Sequence, residues 1–175
     1  MKTLLAMCGG CLIFQAAASD TPAFRLTQRD IPERGQVGAL QLAVGQQQVS
    51  LILPKNWRVG QAAEGVVLQA ADYSATLIVK SVKSSESLNQ ELKNRLAEAS
   101  PAVVIGKEYG WTTGAGEATV IEACLGDANE LPLQSRTYII KLKEQSLVLT
   151  LSAAATQFAK AELLISSVIA SLRVE

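Results

Sequence analysis

RTYIIKLKEQSLVLTLS, residues 136–152, decides the fold. In its first half Tyr138, Ile140 and Leu142 alternate with Ile139, Lys141 and Lys143. In its second half Leu147, Leu149 and Leu151 alternate with Ser146, Val148, Thr150 and Ser152. A period of two places each set on one face of a strand. The polar Lys143-Glu144-Gln145 between the halves is short enough to turn a hairpin. The two strands are apolar enough to form the centre of a sheet.

Working outward, the same alternation recurs. Leu40, Leu42 and Val44 precede a turn at Gly45-Gln46-Gln47, and Val49, Leu51 and Leu53 follow it. Pro54 ends that strand because it has no N–H to give to a ladder. Residues 65–71 and 74–82 read as strands joined at Asp72-Tyr73, and residues 102–109 and 117–125 as two more. The last pair is separated by a glycine-rich connection, 110–116. Lys55 to Glu64 reads as a loop.

Two segments carry helical spacing instead. Ser87 and Gln90 have the spacing of a capping box, and Leu88, Leu92, Leu96 and Ala99 follow on one stripe until Ser100-Pro101 stops the helix. Residues 156–172 place Phe158, Ala161, Ile165, Val168 and Leu172 on one face, with Arg173 positioned for the negative end of the helix. Strands, helix, strands, helix with short connections describe an α+β domain: an antiparallel β-sheet flanked by helices on both faces, an α/β/α sandwich.

The N-terminal end is of another kind. Lys2, the short apolar run of residues 4–14 and Ala16-Ala17-Ala18 have the layout of a secretory signal, which predicts residues 1–18 as a signal peptide cut after Ala18. The alternative is a lipoprotein signal, with Gly9-Gly10 before a lipidated Cys11. Residues 19–36 are polar, contain Pro22 and Pro32 and lack sustained periodicity, so a flexible lead-in is expected, followed by one domain over 37–175. Beyond the signal no apolar run is long enough to span a bilayer.

Composition narrows the chemistry. The chain has 16 basic and 16 acidic residues and no histidine. Near-neutral charge provides no footprint for nucleic acid. Without imidazole the commonest general base and zinc ligand are missing, and Gly110, Gly114 and Gly116 lack the spacing of a phosphate loop. No cofactor is expected and an enzyme is not the favoured reading. Losing the signal removes Cys8 and Cys11, leaving Cys124 unpaired as a buried structural thiol. Asp127, Asn129 and Glu130 are too few for a calcium loop and read as a solvated turn, so no metal is expected.

Trp57 and Trp111 both fall in segments read as loops. Each could close an end of the core or, if the loops share one end of the sheet, contribute to a patch that binds a protein partner.

The succession Leu53-Pro54-Lys55-Asn56-Trp57, hairpin, amphipathic helix, Gly110-Trp111, long hairpin and a final helix ending Ile169-Ala170-Ser171-Leu172 resembles the PsbP-like superfamily. That group includes the photosystem accessory protein P, the yeast Ran-binding Mog protein and bacterial periplasmic DcrB-type proteins. The similarity covers about residues 37–175 and is one of layout. Asn56 stands where such proteins often have glycine, and asparagine also tolerates a left-handed backbone. The resemblance implies an antiparallel sheet flanked by helices and a binding or accessory role rather than a catalytic one. Together with the signal, the expectation is a secreted or periplasmic, non-enzymatic accessory or binding protein with a protein partner and weak envelope association. An inhibitor, an immunity-type protein or a chaperone of a secreted effector is the alternative.

Overall fold

The computed structural model describes residues 23–62, 65–99, 103–126 and 132–175. The expected signal peptide, the Ala18 cut, Cys8, Cys11 and the 127–130 turn lie outside the described residues.

The 136–152 hairpin is the centre of the molecule. β9 (Leu133–Lys141) and β10 (Gln145–Ala154) pair antiparallel, with Leu147 opposite Ile140 and Leu149 opposite Tyr138. β5 (Gly65–Ala70) and β6 (Ala75–Lys83) form a hairpin that adds through β6 to the other side of β10. β7 (Val103–Thr113) and β8 (Gly116–Leu125) add through β8 to β9. With β4 (Trp57–Ala62) on the edge of β5, this makes a seven-stranded sheet in the order β4-β5-β6-β10-β9-β8-β7. Every pairing is antiparallel, as short connections require.

A smaller four-stranded sheet, β1-β2-β3-β11, is built from β1 (Phe24–Ile31), β2 (Gly35–Val44), β3 (Gln47–Ile52) and β11 (Arg173–Val174). Its inward Leu40, Leu42, Val49 and Leu51 join the core of the large sheet. Two helices complete the layers: α1 (Leu88–Ala99) on one face of the large sheet, and α2 (Ala155–Ala170) on the face shared with the small sheet. This is the α+β arrangement expected from the periodicity.

Alternation sorts the layers. Leu147, Leu149, Leu151, Tyr138 and Ile140 face α2, whereas Val148 and Ile139 face Leu88, Leu92 and Leu96 of α1. Between α1 and the sheet lies a gap of about 10 Å³ lined by residues including Lys80, Leu92 and Val148. Lys80 is almost wholly buried there.

The structure departs from the sequence-based expectations at the edges. The segment expected as a flexible lead-in contains β1, which pairs with β2 along its full length, Phe24 opposite Leu42 and Ile31 opposite Gly35. Its exposed polar side chains hide the pattern, but its backbone supplies the partner that β2 would otherwise lack. The chain turns between them at Pro32-Glu33-Arg34, with Glu33 at φ 69°. Likewise, the expected loop from Lys55 to Glu64 contains β4. The glycine-rich connection 110–116 shrinks to a tight turn, because β7 continues through Trp111 to Thr113.

Helix ends also differ. Glu91, not Gln90, receives the Ser87 hydroxyl, and Ser85 donates to the same carboxylate oxygen at 3.2 Å. Arg173 belongs to β11. Arg29 of β1 instead donates to the Ser171 carbonyl at 3.0 Å, placing its charge at the negative end of α2. Cys124 is half-buried rather than buried, and it is a free thiol.

Candidate functional site

α2 packs over the large sheet and connects the surroundings of the two tryptophans. Its first turns line a groove beside Trp57. Its C-terminal carbonyls lie over Gly114, where an added Cβ would approach Leu172 O to 2.1 Å and Ala170 O to 2.7 Å.

The tryptophans themselves are far apart. Trp57 begins β4 and Trp111 lies on β7, the opposite edges of the sheet. Six strand spacings of roughly 4.8 Å put those edges about 29 Å apart. The registers displace them along the strands as well. Trp57 pairs with Ala70 beside the β5–β6 turn, at the level of Ala75 and Ala153, whereas Trp111 pairs with Ala118 at the level of Ile140 and Leu147. That adds about 20 Å along the strand direction at 3.3 Å per residue. The expectation of one shared patch is therefore corrected: the two indoles occupy diagonally opposite corners, because an edge position on each side of a wide sheet cannot be brought to one end by short turns.

The Trp111 corner is filled by side chains. Trp111 meets the buried Tyr138 edge-on, with centroids 6.5 Å apart and planes at 80°. Next to it, Arg136 donates to Glu122 Oε1 at 2.7 Å and pairs with Glu162 of α2, while the Tyr109 hydroxyl donates to Glu122 at 3.1 Å. The guanidinium also lies 5.9 Å from the Tyr109 ring centroid and 5.7 Å from that of Phe158. Burial is the main reason the Tyr109 hydroxyl is pushed up to about 12. With Arg136 held by two carboxylates, the network fastens α2 to β8 and β9.

The Trp57 corner is open. A groove of about 300 Å³ runs between the start of β4, the β5–β6 turn and α2, and its lining includes Lys55, Trp57, Asp72, Lys160, Ala161 and Leu164. Local backbone geometry builds its rim. Asn56 adopts φ 64°, the left-handed conformation that its short amide side chain tolerates, and so turns the chain after Pro54 to present the half-buried Trp57. Across the groove, Asp72 closes an Asx turn by accepting from the Ser74 N–H at 3.1 Å and the Ser74 hydroxyl at 2.6 Å. The Ser74 hydroxyl is also the main reason the Asp72 carboxyl is held below its ordinary range.

The same turn puts Tyr73 at φ 59° and leaves it 65% exposed. Arg58 donates to its hydroxyl at 2.9 Å, and the guanidinium lies 5.6 Å from the ring centroid. Trp57, the small side chains of Ala70, Ala75 and Ala161, and Leu164 give the groove an apolar floor.

Sequence reasoning singled out Trp57 but not its setting. Lys160, Ala161 and Leu164 come from a helix about a hundred positions away. Their only sequence signal is that Leu163 and Leu164 fall outside the buried stripe of α2, exposed at 76% and 45%.

Solved structures share this architecture. LpqN of Mycobacterium tuberculosis, described as involved in cell envelope biogenesis, superposes with a TM-score of 0.54 at 13% identity, covering 86% of this chain and 91% of its own. Cyanobacterial PsbP from Synechocystis superposes with a TM-score of 0.56 at 14% identity, covering 98% of this chain and 99% of its own. The fold is PsbP-like. No family model and no curated protein matches the sequence. At these identities the likeness is one of fold, which does not by itself fix a function. Among the described residues no helix is long and apolar enough to cross a membrane.

Proposed function

We propose that this PsbP-like chain is a non-enzymatic, extracytoplasmic accessory protein that holds a protein partner at the Trp57 groove. The observation that carries the reading is the contrast between the two tryptophan corners. One is filled by Tyr138 and the Arg136 network; the other presents an indole at the floor of an open groove of about 300 Å³. A half-buried tryptophan held by a fixed backbone corner is the kind of residue that anchors protein interfaces at small entropic cost. Trp57 is accordingly the proposed partner contact, and Trp111 is assigned to closing the core. The envelope role described for LpqN and the signal-like layout of residues 1–18 support an extracytoplasmic setting.

Site-specific photo-crosslinking in intact cells tests this reading. A photoreactive residue at the exposed position of Tyr73 is expected to trap one defined protein, identified by mass spectrometry, and Trp57→Ala is expected to abolish the adduct while the protein stays folded. The same probe at Val104, also exposed but on the far edge strand, is expected to trap nothing. Equal adducts from both positions, or an adduct indifferent to Trp57→Ala, would refute the groove as the working surface. Intact mass of the exported protein is expected to start at Ser19; a diacylated Cys11 would replace the soluble form by an anchored one.

A further inference from the structure

The charge around the groove identifies what kind of segment fits it. The chain as a whole balances 16 basic against 16 acidic residues. Locally the balance is lost: Lys55 and Lys160 line the groove, and Arg58 stands at its rim on Tyr73. The carboxylate that lines it, Asp72, stays charged, held low by its own Ser74 and to a smaller extent by Lys160, so the groove and its rim carry three cations against one carboxylate. Glu162, on the neighbouring turn of α2, is occupied by Arg136. A ring of cations around an apolar floor complements an apolar side chain flanked by carboxylates.

The strand beside the groove favours an extended peptide over a compact ligand. Among the described residues β4 is an edge strand, hydrogen-bonded to β5 on one side only. Arg58, Gly60, Gln61 and Ala62 are exposed along it, and a Cβ added at Gly60 would meet no atom within 4 Å. Such an edge offers alternate peptide N–H and C=O groups to a further strand. A chain laid along β4 sends every second side chain to the face that carries Trp57 and Val59, both of which pack on the main core.

We infer that the groove receives an extended acidic segment of the partner protein, which adds to the free edge of β4, seats one apolar side chain on Trp57 and sets its flanking carboxylates against Lys55, Arg58 and Lys160. This rests on the reading of the groove as the partner site and specifies its chemistry.

The test uses the mature protein and fluorescence anisotropy of labelled, end-blocked heptapeptides. Each has a central Val-Leu-Val, flanked on both sides by two acidic residues, two lysines or two glutamines. The acidic peptide is expected to bind at least tenfold more tightly than the glutamine peptide, and the lysine peptide not at all. Raising salt from 50 to 300 mM is expected to weaken the acidic peptide several-fold.

The double change Lys55→Glu, Lys160→Glu, at two exposed side chains, is expected to reverse the preference. N-methylation of alternate peptide groups, which removes strand pairing without touching charge, is expected to cost at least tenfold. Equal binding of the three peptides, no response to the charge reversal, or indifference to N-methylation would overturn the inference. Saturable binding of anionic phospholipid vesicles through the same lysines, with no peptide binding, would also overturn it and assign the cations to a membrane. In any of these cases the Tyr73 adduct decides separately: if it persists, the groove remains the partner site and only the acidic strand is wrong.

Discussion

The seven-stranded sheet is covered on both faces, but with very different amounts of apolar surface. On one side α2 and the small sheet enclose a continuous core from Leu40 and Leu51 through Leu68, Leu77, Leu149 and Tyr138 to Phe158, Ile165 and Leu172. On the other, α1 covers Ile121, Ala123, Ile139 and Val148 with Leu88, Leu92 and Leu96, next to the buried Lys80 and the threonines Thr137 and Thr150. The first layer is tied by Arg136 pairing with Glu162 of α2 and by the Gly114 turn under the end of that helix. The second is a single twelve-residue helix held by one apolar stripe and by Lys93 and Asn89 reaching Glu108 of β7. Stability should be distributed in the same proportion, with α1 opening well below the global unfolding energy.

The strongest way to break that comparison is a matched pair of cavities. Leu149→Ala, in the centre of β10 with no exposed surface, is expected to cost about 3 to 4 kcal/mol. Leu92→Ala in α1 is expected to cost about 2 kcal/mol, at the low end of such substitutions, because an exposed helix can settle into the space. Urea denaturation with a common slope measures both. Equal losses would mean that α1 is as much a part of the cooperative core as β10.

A smaller effect probes how α2 is held. Gly114→Ala would drive a methyl group into the carbonyls of Ala170 and Leu172, with an expected loss of about 2 kcal/mol from the displaced helix end. Gly110→Ala, four residues earlier, within β7 and open to solvent, is expected to change stability by less than about 0.5 kcal/mol. If the two variants melt alike, the Gly114 contact does not constrain the C-terminus of α2.

The smallest effect concerns α1 alone. Its contact with β7 passes through Glu108, whose carboxyl is held below its usual 4.5 chiefly by the hydrogen bond from Lys93. A carboxyl depressed in the folded state contributes its full stabilisation above the unfolded value and loses it as pH falls through the folded one. Amide exchange across α1, corrected for intrinsic rates, is therefore expected to accelerate relative to α2 as pH drops below 4.5. Glu108→Gln is expected to reduce the pH dependence, the remainder coming from Glu91 at the start of α1, which Ser87 and Ser85 hold low. Parallel behaviour of the two helices would place the anchorage of α1 in its leucine stripe alone.

The sequence by itself determined every element with a one-sided environment. Period-two alternation in 136–152 and in the Leu40 to Leu51 region, and the apolar stripes of both helices, are local records of burial, so they can be read without knowing the partner. Asn56 was legible for the same reason, since a left-handed residue is a local requirement.

Edges and long-range relations were decided by the tertiary structure. β1 is mostly polar, β4 is short with exposed Arg58, Gly60, Gln61 and Ala62, and what makes them strands is the neighbour their backbones pair with. Arg29 at the end of α2 and Lys160 beside Trp57 are joined across separations that no local pattern encodes. The two tryptophans looked equivalent as residues of glycine-rich connections. Only the strand order, which follows from non-local pairing, sent one to a corner packed by Tyr138 and the other to an open groove.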